Sequence, residues 1–193
     1  LTQGWQVWTT NKEIRKPSDF KGFKMRTMTS KLIVENYKAF GSNPTPTPYA
    51  EVYSALQLNM VDGQENPLNC IEDMKFYEVQ DYLIFAYTNP FILTMIANQQ
   101  FFDGLPQEIR TMVVEASQES IDYSFEWQKK FNQAKPENMM KRKPDLKVIY
   151  LTEEEIVAFS ELAGPVREVF FEMAGEYGKE ILSALEKKKK KMA

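Results

Sequence analysis

The sequence predicts an α/β protein organised in two lobes. Of its 193 residues, 43% are apolar and 26% are charged, a composition typical of a chain that buries a core. Segments with strand character alternate with segments of helical periodicity, as in an α/β sheet. One helical pattern, from Pro106 to Lys135, would form a rod of about 45 Å at about 1.5 Å per residue. Because this rod is longer than one small lobe, we expect it to bridge two lobes.

Residue types and turn signals predict the first elements. Gln3 to Thr10 is rich in aromatic and β-branched residues and predicts a strand, and Lys24 to Met28 predicts a second one. The helix that follows can be capped by Ser30 and ends at Gly41. Pro44 to Pro48 must be extended, because each proline fixes its own φ and disfavours helix in the residue before it.

The next segments continue the alternation. Tyr49 to Leu58 has the pattern of a helix. Val61 to Gly63 predicts a short strand, and the residue types of Gly63 to Pro67 indicate a turn after it. A further short helix is expected near Pro67 to Tyr77.

The middle of the chain predicts two strands and the long helix. Tyr82 to Tyr87 and Phe91 to Ala97 are short apolar runs rich in β-forming residues. The long helix follows, and its apolar positions from Ile109 to Phe131 keep helical spacing, which predicts a buried face. Lys135-Pro136 is expected to end it.

The C-terminal part predicts one strand and several helices. Leu146 to Tyr150 is the strand, and Thr152 to Glu155 has the pattern of a capping box for a helix that runs to Leu162. Gly164-Pro165 and Gly175 are expected to interrupt the helices that follow. The run Lys187 to Lys191 predicts a solvated, frayed helix end.

Composition excludes several classes of function. The chain has no His and one Cys, so Ser-His-Asp and Cys-His catalytic units, His-bearing metal sites and zinc held by several thiolates are absent. A lone Cys70 fits a reduced compartment or an exported protein without disulfides. The net charge of −3 gives no general attraction to nucleic acid or to anionic membranes. The apolar run from Pro90 to Ala97 is too short to cross a bilayer.

Arg26 is the residue whose surroundings indicate a ligand site. Taken alone, an arginine in such a strand is more often exposed or paired with an acid. Here, however, the polar segment Gly63 to Pro67 and the extended segment Pro44 to Pro48, which leads to Tyr49, would both lie beyond strand ends. Ligands of open α/β sheets bind at such ends. A guanidinium offers two parallel N–H donors to a carboxylate, and an Asn amide can add a third.

Six segments keep a common order and spacing: Asp19 to Arg26, Ala39 to Pro48, Glu51 to Gln57, Val61 to Pro67, Phe76 to Gln80 and Leu105-Pro106. Together they resemble the solute-binding proteins of TRAP transporters, the tripartite ATP-independent periplasmic systems. The resemblance covers nearly the whole chain but only about the C-terminal two-thirds of what the family needs. It therefore implies that a signal peptide and most of the first lobe are absent here.

The resemblance implies a periplasmic-binding-protein-like clamshell, similar to type II, which closes on a small organic acid. It implies delivery of that acid to TRAP membrane subunits from the periplasm, without enzymatic activity, metal or cofactor. It places residues 1–90 in the ligand-binding lobe and residues 91–132 with the other lobe. Residues 133–193 then return to the first lobe and form the C-terminal helices.

The resemblance also implies roles for individual residues. Arg26 matches the arginine that clamps the carboxylate, and Asn66 matches an amide on the same carboxylate. Tyr49 falls where an aromatic wall often stands, and Thr29, a less specific match, falls at a polar contact. Met28 shares the strand face of Arg26 and completes this part of the predicted ligand-binding set.

Two departures from the family pattern bear on the ligand. Gln6 stands where sialic-acid-binding relatives carry a further arginine, and Pro90 stands where many members have His. Gln6 is therefore a candidate ligand-binding residue of different chemistry, and sialic acid is disfavoured. A mono- or dicarboxylate is favoured, with an apolar or aromatic body near Trp5 or Trp8.

Alternatives from other classes stay open at the sequence level. One is a sensor module that uses the same fold, and another is an enzyme with Glu65 or Asp62 as a base. Some relatives hold their acid through a metal ion near the position of Glu65, which is a minority possibility. We also expect the isolated 193-residue chain to be marginally stable or to self-associate.

Overall fold

A computed structural model describes residues 1–192, including all their side chains except those of residues 131–134 and 189–192. The chain divides into two compact units: unit 1 comprises Leu1–Thr9 and Glu65–Tyr150, and unit 2 comprises Thr10–Gln64 and Leu151–Ala193. The sequence-based predictions for Phe131 and for most of the lysine run fall outside the described side chains. The division predicted at residues 90 and 132 concerns the lobes of a complete protein and stays a prediction.

Strands and helices alternate along the chain, which confirms the α/β class. The strands are β1 (Thr2–Thr10), β2 (Lys24–Thr27), β3 (Asn43–Pro46), β4 (Gly63–Pro67), β5 (Tyr82–Phe85), β6 (Pro90–Ile92) and β7 (Lys147–Tyr150). The α-helices are α1 (Lys31–Ala39), α2 (Val52–Gln57), α3 (Leu68–Asp73), α4 (Gln99–Gly104), α5 (Gln107–Arg142), α6 (Glu153–Ser160) and α7 (Gly164–Met192). Short 3-10 turns lie at Pro17–Phe20, Tyr49–Glu51, Phe76–Val79 and Glu161–Ala163.

In unit 2, β2 is the central strand of a parallel arrangement. It pairs with β3 on one side and with β4 on the other, so that Arg26 lies opposite Thr45 and Gln64. The pairing with the β3 segment continues past the strand, because Thr47 donates its backbone N–H to Thr27 at 3.1 Å. Arg26 therefore lies in the interior of a hydrogen-bonded strand.

An aromatic cluster forms much of the core of unit 2. It consists of Phe20, Phe23, Tyr37, Phe40 and Phe159, all of them buried. The rings of Phe40 and Phe159 are 5.0 Å apart, and those of Phe20 and Tyr37 are 5.8 Å apart. Each such side chain contributes about 1.5–3 kcal/mol by leaving water. Tyr37 of α1 and Phe40, directly after α1, are thus part of the core of unit 2.

In unit 1, hydrogen-bonded neighbours follow the order β4, β1, β5 and β7, and β6 pairs with β1. β5 and β7 are parallel, with Leu83 opposite Val148 and Phe85 opposite Tyr150. β6 runs antiparallel to β1. The sheet is therefore mixed, and β1 lies inside it rather than at an edge.

The segment Gly63–Pro67 is a strand, so the turn predicted there is wrong. All five residues of β4 are buried. Gly, Asn and Pro are typical of turns. Here, however, neighbouring strands supply hydrogen-bond partners on both sides of β4. Tertiary pairing has outweighed the local preference of these residue types.

Helix α5 continues through Pro136, so its predicted end at Lys135-Pro136 is also wrong. A proline removes one helical hydrogen bond and normally bends or ends a helix. Contacts on both sides of Pro136 offset that cost: Lys135 forms a buried ion pair with Glu72 of α3, and Met139 is fully buried. All of α5 lies in unit 1, so a bridge to a second lobe stays a prediction for the complete protein.

The face of α5 predicted to be buried is largely exposed in unit 1. Met112, Val113 and Tyr123 are exposed, and so is Trp127 near the middle of the helix. The strand predicted from Phe91 to Ala97 forms only in part. In the structure it is Pro90–Ile92, which pairs with β1. Ahead of α5 lies an unpredicted helix, α4, which begins at Gln99. Asn98 caps it, because its side chain accepts a hydrogen bond from the N–H of Phe101 at 3.0 Å.

The C-terminal helices begin and break where the sequence predicts. The Thr152 hydroxyl accepts a hydrogen bond from the N–H of Glu155 at 3.2 Å, and the Glu155 carboxylate accepts one from the N–H of Thr152 at 2.8 Å. This reciprocal capping box starts α6. Gly175, with a φ of 60°, interrupts the helical backbone within α7. Among residues 1–192, no helix combines the length and apolarity needed to cross a bilayer.

Candidate functional site

Arg26 is a buried cation in unit 2, with 2% of its surface exposed. Its Nε and Nη2 both donate to the carbonyl oxygen of Thr47, at 3.0 and 2.7 Å. A buried charge is costly unless hydrogen bonds compensate it. The two bonds hold the guanidinium plane in one orientation, and a backbone carbonyl does so without neutralising the positive charge.

The proline-rich segment explains how Thr47 comes to face Arg26. Pro44 and Pro46 keep the chain extended, which aligns β3 with β2 over four residues. Thr47 follows directly and stays paired with Thr27 through its backbone N–H. Met25 and Thr27, on the other face of β2, are fully buried and fix the strand in place.

Three other predicted ligand residues share unit 2 with Arg26 and follow strand ends. Met28 is half-buried and Thr29 is exposed, directly after β2. Tyr49 begins the 3-10 turn after β3 and is 41% exposed. Both loops therefore leave the carboxyl ends of parallel strands, which is the placement that the sequence predicted.

The other two predicted ligand residues, Asn66 and Gln6, lie in unit 1. Asn66 is in β4 and Gln6 in the neighbouring strand β1, and both are buried. Gln6 donates its backbone N–H to the carbonyl oxygen of Asn89 at 2.8 Å. The Asn89 amide in turn donates to the Glu65 carboxylate at 3.2 Å. Sequence reasoning missed Asn89, because its position before Pro90 is also that of an ordinary turn.

The backbone of Asn66 is held by the elements that follow it. Pro67 is the N-cap of α3, and Glu72 near the end of α3 forms the ion pair with Lys135 of α5. Because the side chain of Lys135 is 3% exposed, this pair lies in the interior of unit 1. It connects the segment that carries Asn66 to the longest helix of the unit.

An aromatic cavity of about 340 Å³ opens in unit 1, lined in part by Trp5, Phe85, Tyr87 and Tyr150. Trp5 and Tyr87 meet edge to face at 6.0 Å, and Phe85 stacks on Tyr150 at 4.6 Å. Burial raises the pKa of the Tyr87 hydroxyl, and Tyr150 adds to the rise, so Tyr87 stays neutral near pH 7. Trp5 is 46% exposed, whereas Trp8 is fully buried.

Asp62 is one of the two carboxylates considered as a base. Both of its carboxylate oxygens accept hydrogen bonds within unit 2. One of its carboxylate oxygens accepts the N–H of Lys24 at 2.8 Å. The other accepts the side-chain amide of Asn11 at 3.4 Å. Asp62 thus supplies a hydrogen-bond acceptor to the backbone N–H at the start of β2. Glu65, the second carboxylate, is fully buried and bound to Asn89.

A family model described as bacterial extracellular solute-binding protein, family 7, matches residues 1–174. The chain belongs to this family. The match spans both units and includes every candidate ligand residue. The family expected from the six sequence segments is thus confirmed.

Similar curated proteins bind different solutes. The chain is 41% identical over 180 residues to the ectoine-binding periplasmic protein TeaA of Halomonas elongata, covering 93% of this chain and 53% of TeaA. It is 38% identical to the ectoine/5-hydroxyectoine-binding periplasmic protein UehA of Ruegeria pomeroyi, covering 95% of this chain and 54% of UehA. It is 35% identical to the C4-dicarboxylate-binding periplasmic protein DctP of Rhodobacter capsulatus, covering 94% of this chain and 54% of DctP.

Solved structures of TRAP periplasmic solute-binding proteins share the fold. The ectoine-binding protein of Halomonas elongata gives a TM-score of 0.90 at 41% identity, over 94% of this chain and 60% of that one. A protein from Desulfovibrio salexigens with bound orotic acid gives 0.90 at 29% identity, over 100% of this chain and 61% of that one. A protein from Shewanella oneidensis with bound succinate gives 0.81 at 27%, over 93% and 59%. The chain thus spans about half to three-fifths of its relatives.

Proposed function

We propose that the protein is the periplasmic solute-binding component of a TRAP transporter, which captures a small organic acid and delivers it to the membrane subunits. Arg26 supplies a guanidinium and Asn66 an amide to one carboxylate of that acid. The observation that carries the proposal is the buried Arg26 guanidinium, oriented by the Thr47 carbonyl.

The physical basis is the match between a guanidinium and a carboxylate. Arginine donates from a rigid planar fork, and charge-assisted hydrogen bonds to a carboxylate are roughly twice as strong as neutral ones. Because Arg26 is already oriented, binding costs little side-chain entropy. Arginine also stays charged at any physiological pH. Such a group can bind and release an acid without proton transfer.

The remaining candidate residues shape the site around that contact. Tyr49, exposed after β3, is proposed as an aromatic wall against the body of the solute. Thr29 is proposed as a polar contact and Met28 as an adaptable apolar one, since both follow the end of β2. Gln6 is proposed as a ligand contact from β1.

The relatives support a small acid as the class of solute. Their names and ligands include ectoine, C4-dicarboxylates, orotic acid and succinate. These compounds share at least one carboxylate and differ in the rest of the molecule. We therefore propose the carboxylate as the common element and leave the body of the solute to direct screening.

A thermal-shift screen of the full-length protein tests this proposal. A ligand that binds only the folded state stabilises it by RT ln(1 + [L]/Kd), about 2.7 kcal/mol at a concentration one hundred times Kd. At least one acid of a broad panel should raise the melting temperature, and its neutral amide should not. A panel in which only compounds without a carboxylate stabilise the protein would reject the proposal.

A further inference from the structure

The aromatic cavity lies wholly within unit 1, because every residue that lines it belongs to that unit. Its lining includes four aromatic side chains, those of Trp5, Phe85, Tyr87 and Tyr150. Its volume of about 340 Å³ is at the small end of the range for ligand pockets, which are mostly apolar with a few polar groups. None of the residues proposed above to bind the acid lines it.

Irregular backbone sets the position of two of these side chains. The pairing of β1 with β6 shifts register between Thr2 and Gly4, and Gly4, with a φ of 88°, directly precedes Trp5. A bulge of this kind redirects the side chains beside it. Tyr87 has a φ of 51°, a left-handed conformation that costs free energy in any residue with a Cβ atom. Such strain is concentrated at functional sites, so both irregularities point to the cavity that Trp5 and Tyr87 share.

The angle between the rings favours a compact ligand over a flat one. The ring centroids of Trp5 and Tyr87 are 6.0 Å apart, and the ring planes meet at 84°. A flat molecule can stack on only one of two perpendicular rings, whereas a tetrahedral group can contact both. Phe85 and Tyr150 stack on each other at 4.6 Å, so each has already used one of its faces.

The charge of the lining favours a weakly hydrated cation. The face of an aromatic ring attracts cations, and tryptophan does so most strongly. No charged side chain lines the cavity in the part of the chain whose side chains the structure describes, and Gln128 supplies an amide. A carboxylate would leave water there without gaining a positive partner, and an ammonium with N–H groups would lose hydrogen bonds to water. A quaternary ammonium has no N–H group to lose.

We propose that the aromatic cavity binds a quaternary ammonium group, such as that of choline. Trp5 and Tyr87 provide the two perpendicular rings, and Phe85 and Tyr150 extend the aromatic wall. The inference goes beyond the proposed function, because it assigns a cation to unit 1 and does not depend on the acid bound by Arg26.

Calorimetric titration of the full-length protein with choline and with neohexyl alcohol tests the inference. Neohexyl alcohol has the shape of choline, but a neutral carbon atom replaces the charged nitrogen. Choline should bind at least about tenfold more tightly, the effect of a cation held against aromatic faces. Equal affinities would overturn the inference, because shape and apolar contact alone would then explain binding. Absence of choline binding would overturn it as well.

Variants locate the choline site. Trp5→Leu should weaken choline binding about tenfold, because leucine keeps an apolar contact but has no aromatic face. Trp127→Leu is the matched control and should leave the affinity unchanged, because Trp127 is equally exposed at 46% but lines a different groove of unit 1. Tyr150→Leu should act in the same direction as Trp5→Leu and covers the case in which the Trp5 variant fails to fold. Wild-type affinity in both folded variants would overturn the inference.

Arg26→Met separates this inference from the proposed function. It should weaken binding of the acid and leave choline binding unchanged. If an acid binds through Arg26 and choline does not bind, the inference is overturned while the proposed function stands. If choline binds as expected and no acid does, the proposed function is overturned while the inference stands. Choline binding that is lost in Arg26→Met would overturn the assignment of choline to the aromatic cavity.

Discussion

At the scale of single residues, Arg26 depends on a backbone atom for its orientation. The Thr47 carbonyl accepts from both Nε and Nη2, a geometry that a lysine ammonium could not reproduce. The extended segment that ends at Pro48 places this carbonyl next to the guanidinium. The charge, the planar fork and its fixed orientation together make Arg26 the strongest candidate for binding an anion.

Asn66 is expected to contribute less than Arg26. Asn66→Ala should lower the affinity for the bound acid by about 1–3 kcal/mol, the range for a hydrogen bond to a charged group. Calorimetry on the full-length protein measures the loss, and Asn43→Ala, at an exposed asparagine of β3, is the control. An Asn66 variant with wild-type affinity and an unchanged melting curve would remove Asn66 from the site.

Residue types and motif spacing predicted Arg26, Asn66 and the loops after β2 and β3. They could not predict the partner of Arg26, because a backbone carbonyl such as that of Thr47 leaves no signal in residue identity. Asn89 was missed for a related reason. Its place before a proline looks like a turn, and its role depends on which strands become neighbours.

At the scale of elements, tertiary contacts outweigh local preferences in two places. β4 is a strand although Gly63–Pro67 has the residue types of a turn, because strands pair with it on both sides. α5 passes through Pro136 because an ion pair and a buried methionine hold it on either side. Both corrections concern long-range pairing, which a window of local sequence does not contain. The capping box of α6 is local, and it was predicted correctly.

The capping box also gives a pH dependence. The N–H of Thr152 and then the Arg15 guanidinium, 3.2 Å away, lower the pKa of the Glu155 carboxyl below its ordinary value of 4.5. A group whose pKa is lowered in the folded state stabilises the fold above its unfolded pKa and loses that effect as pH falls through the folded pKa. Glu155→Gln should therefore destabilise unit 2 at pH 7, and the difference should shrink as the pH falls below 4.5 and through the lowered pKa of Glu155.

Urea unfolding at pH 7 and pH 3 measures that difference. Glu154→Gln, an exposed neighbour in the same helical turn, is the control and should show a smaller effect at pH 7. A Glu155→Gln variant as stable as the wild type at pH 7 would mean that the charge of Glu155 contributes nothing to the fold, because glutamine can still accept the hydrogen bond of the capping box.

At the scale of the whole molecule, unit 1 exposes much apolar surface. Trp5 and Tyr150 are exposed beside the aromatic cavity, and Met112 and Tyr123 are exposed on α5. Large exposed apolar patches promote association. The 193-residue chain alone should therefore self-associate at micromolar concentration, and Met112→Lys with Tyr123→Lys should reduce this. Sedimentation velocity measures it, and a concentration-independent monomer would contradict the expectation.

The central claim is that Arg26 binds the carboxylate of the solute. Its most direct test is calorimetric titration of the full-length protein with the acid that gives the largest thermal shift. Arg26→Ala, and Arg26→Met as a variant that keeps the side-chain volume, should each weaken binding by at least about thirtyfold, or about 2 kcal/mol. Arg15→Ala, at a more exposed arginine of the same unit, should bind as the wild type does. Wild-type affinity in a folded Arg26→Met variant would contradict the account.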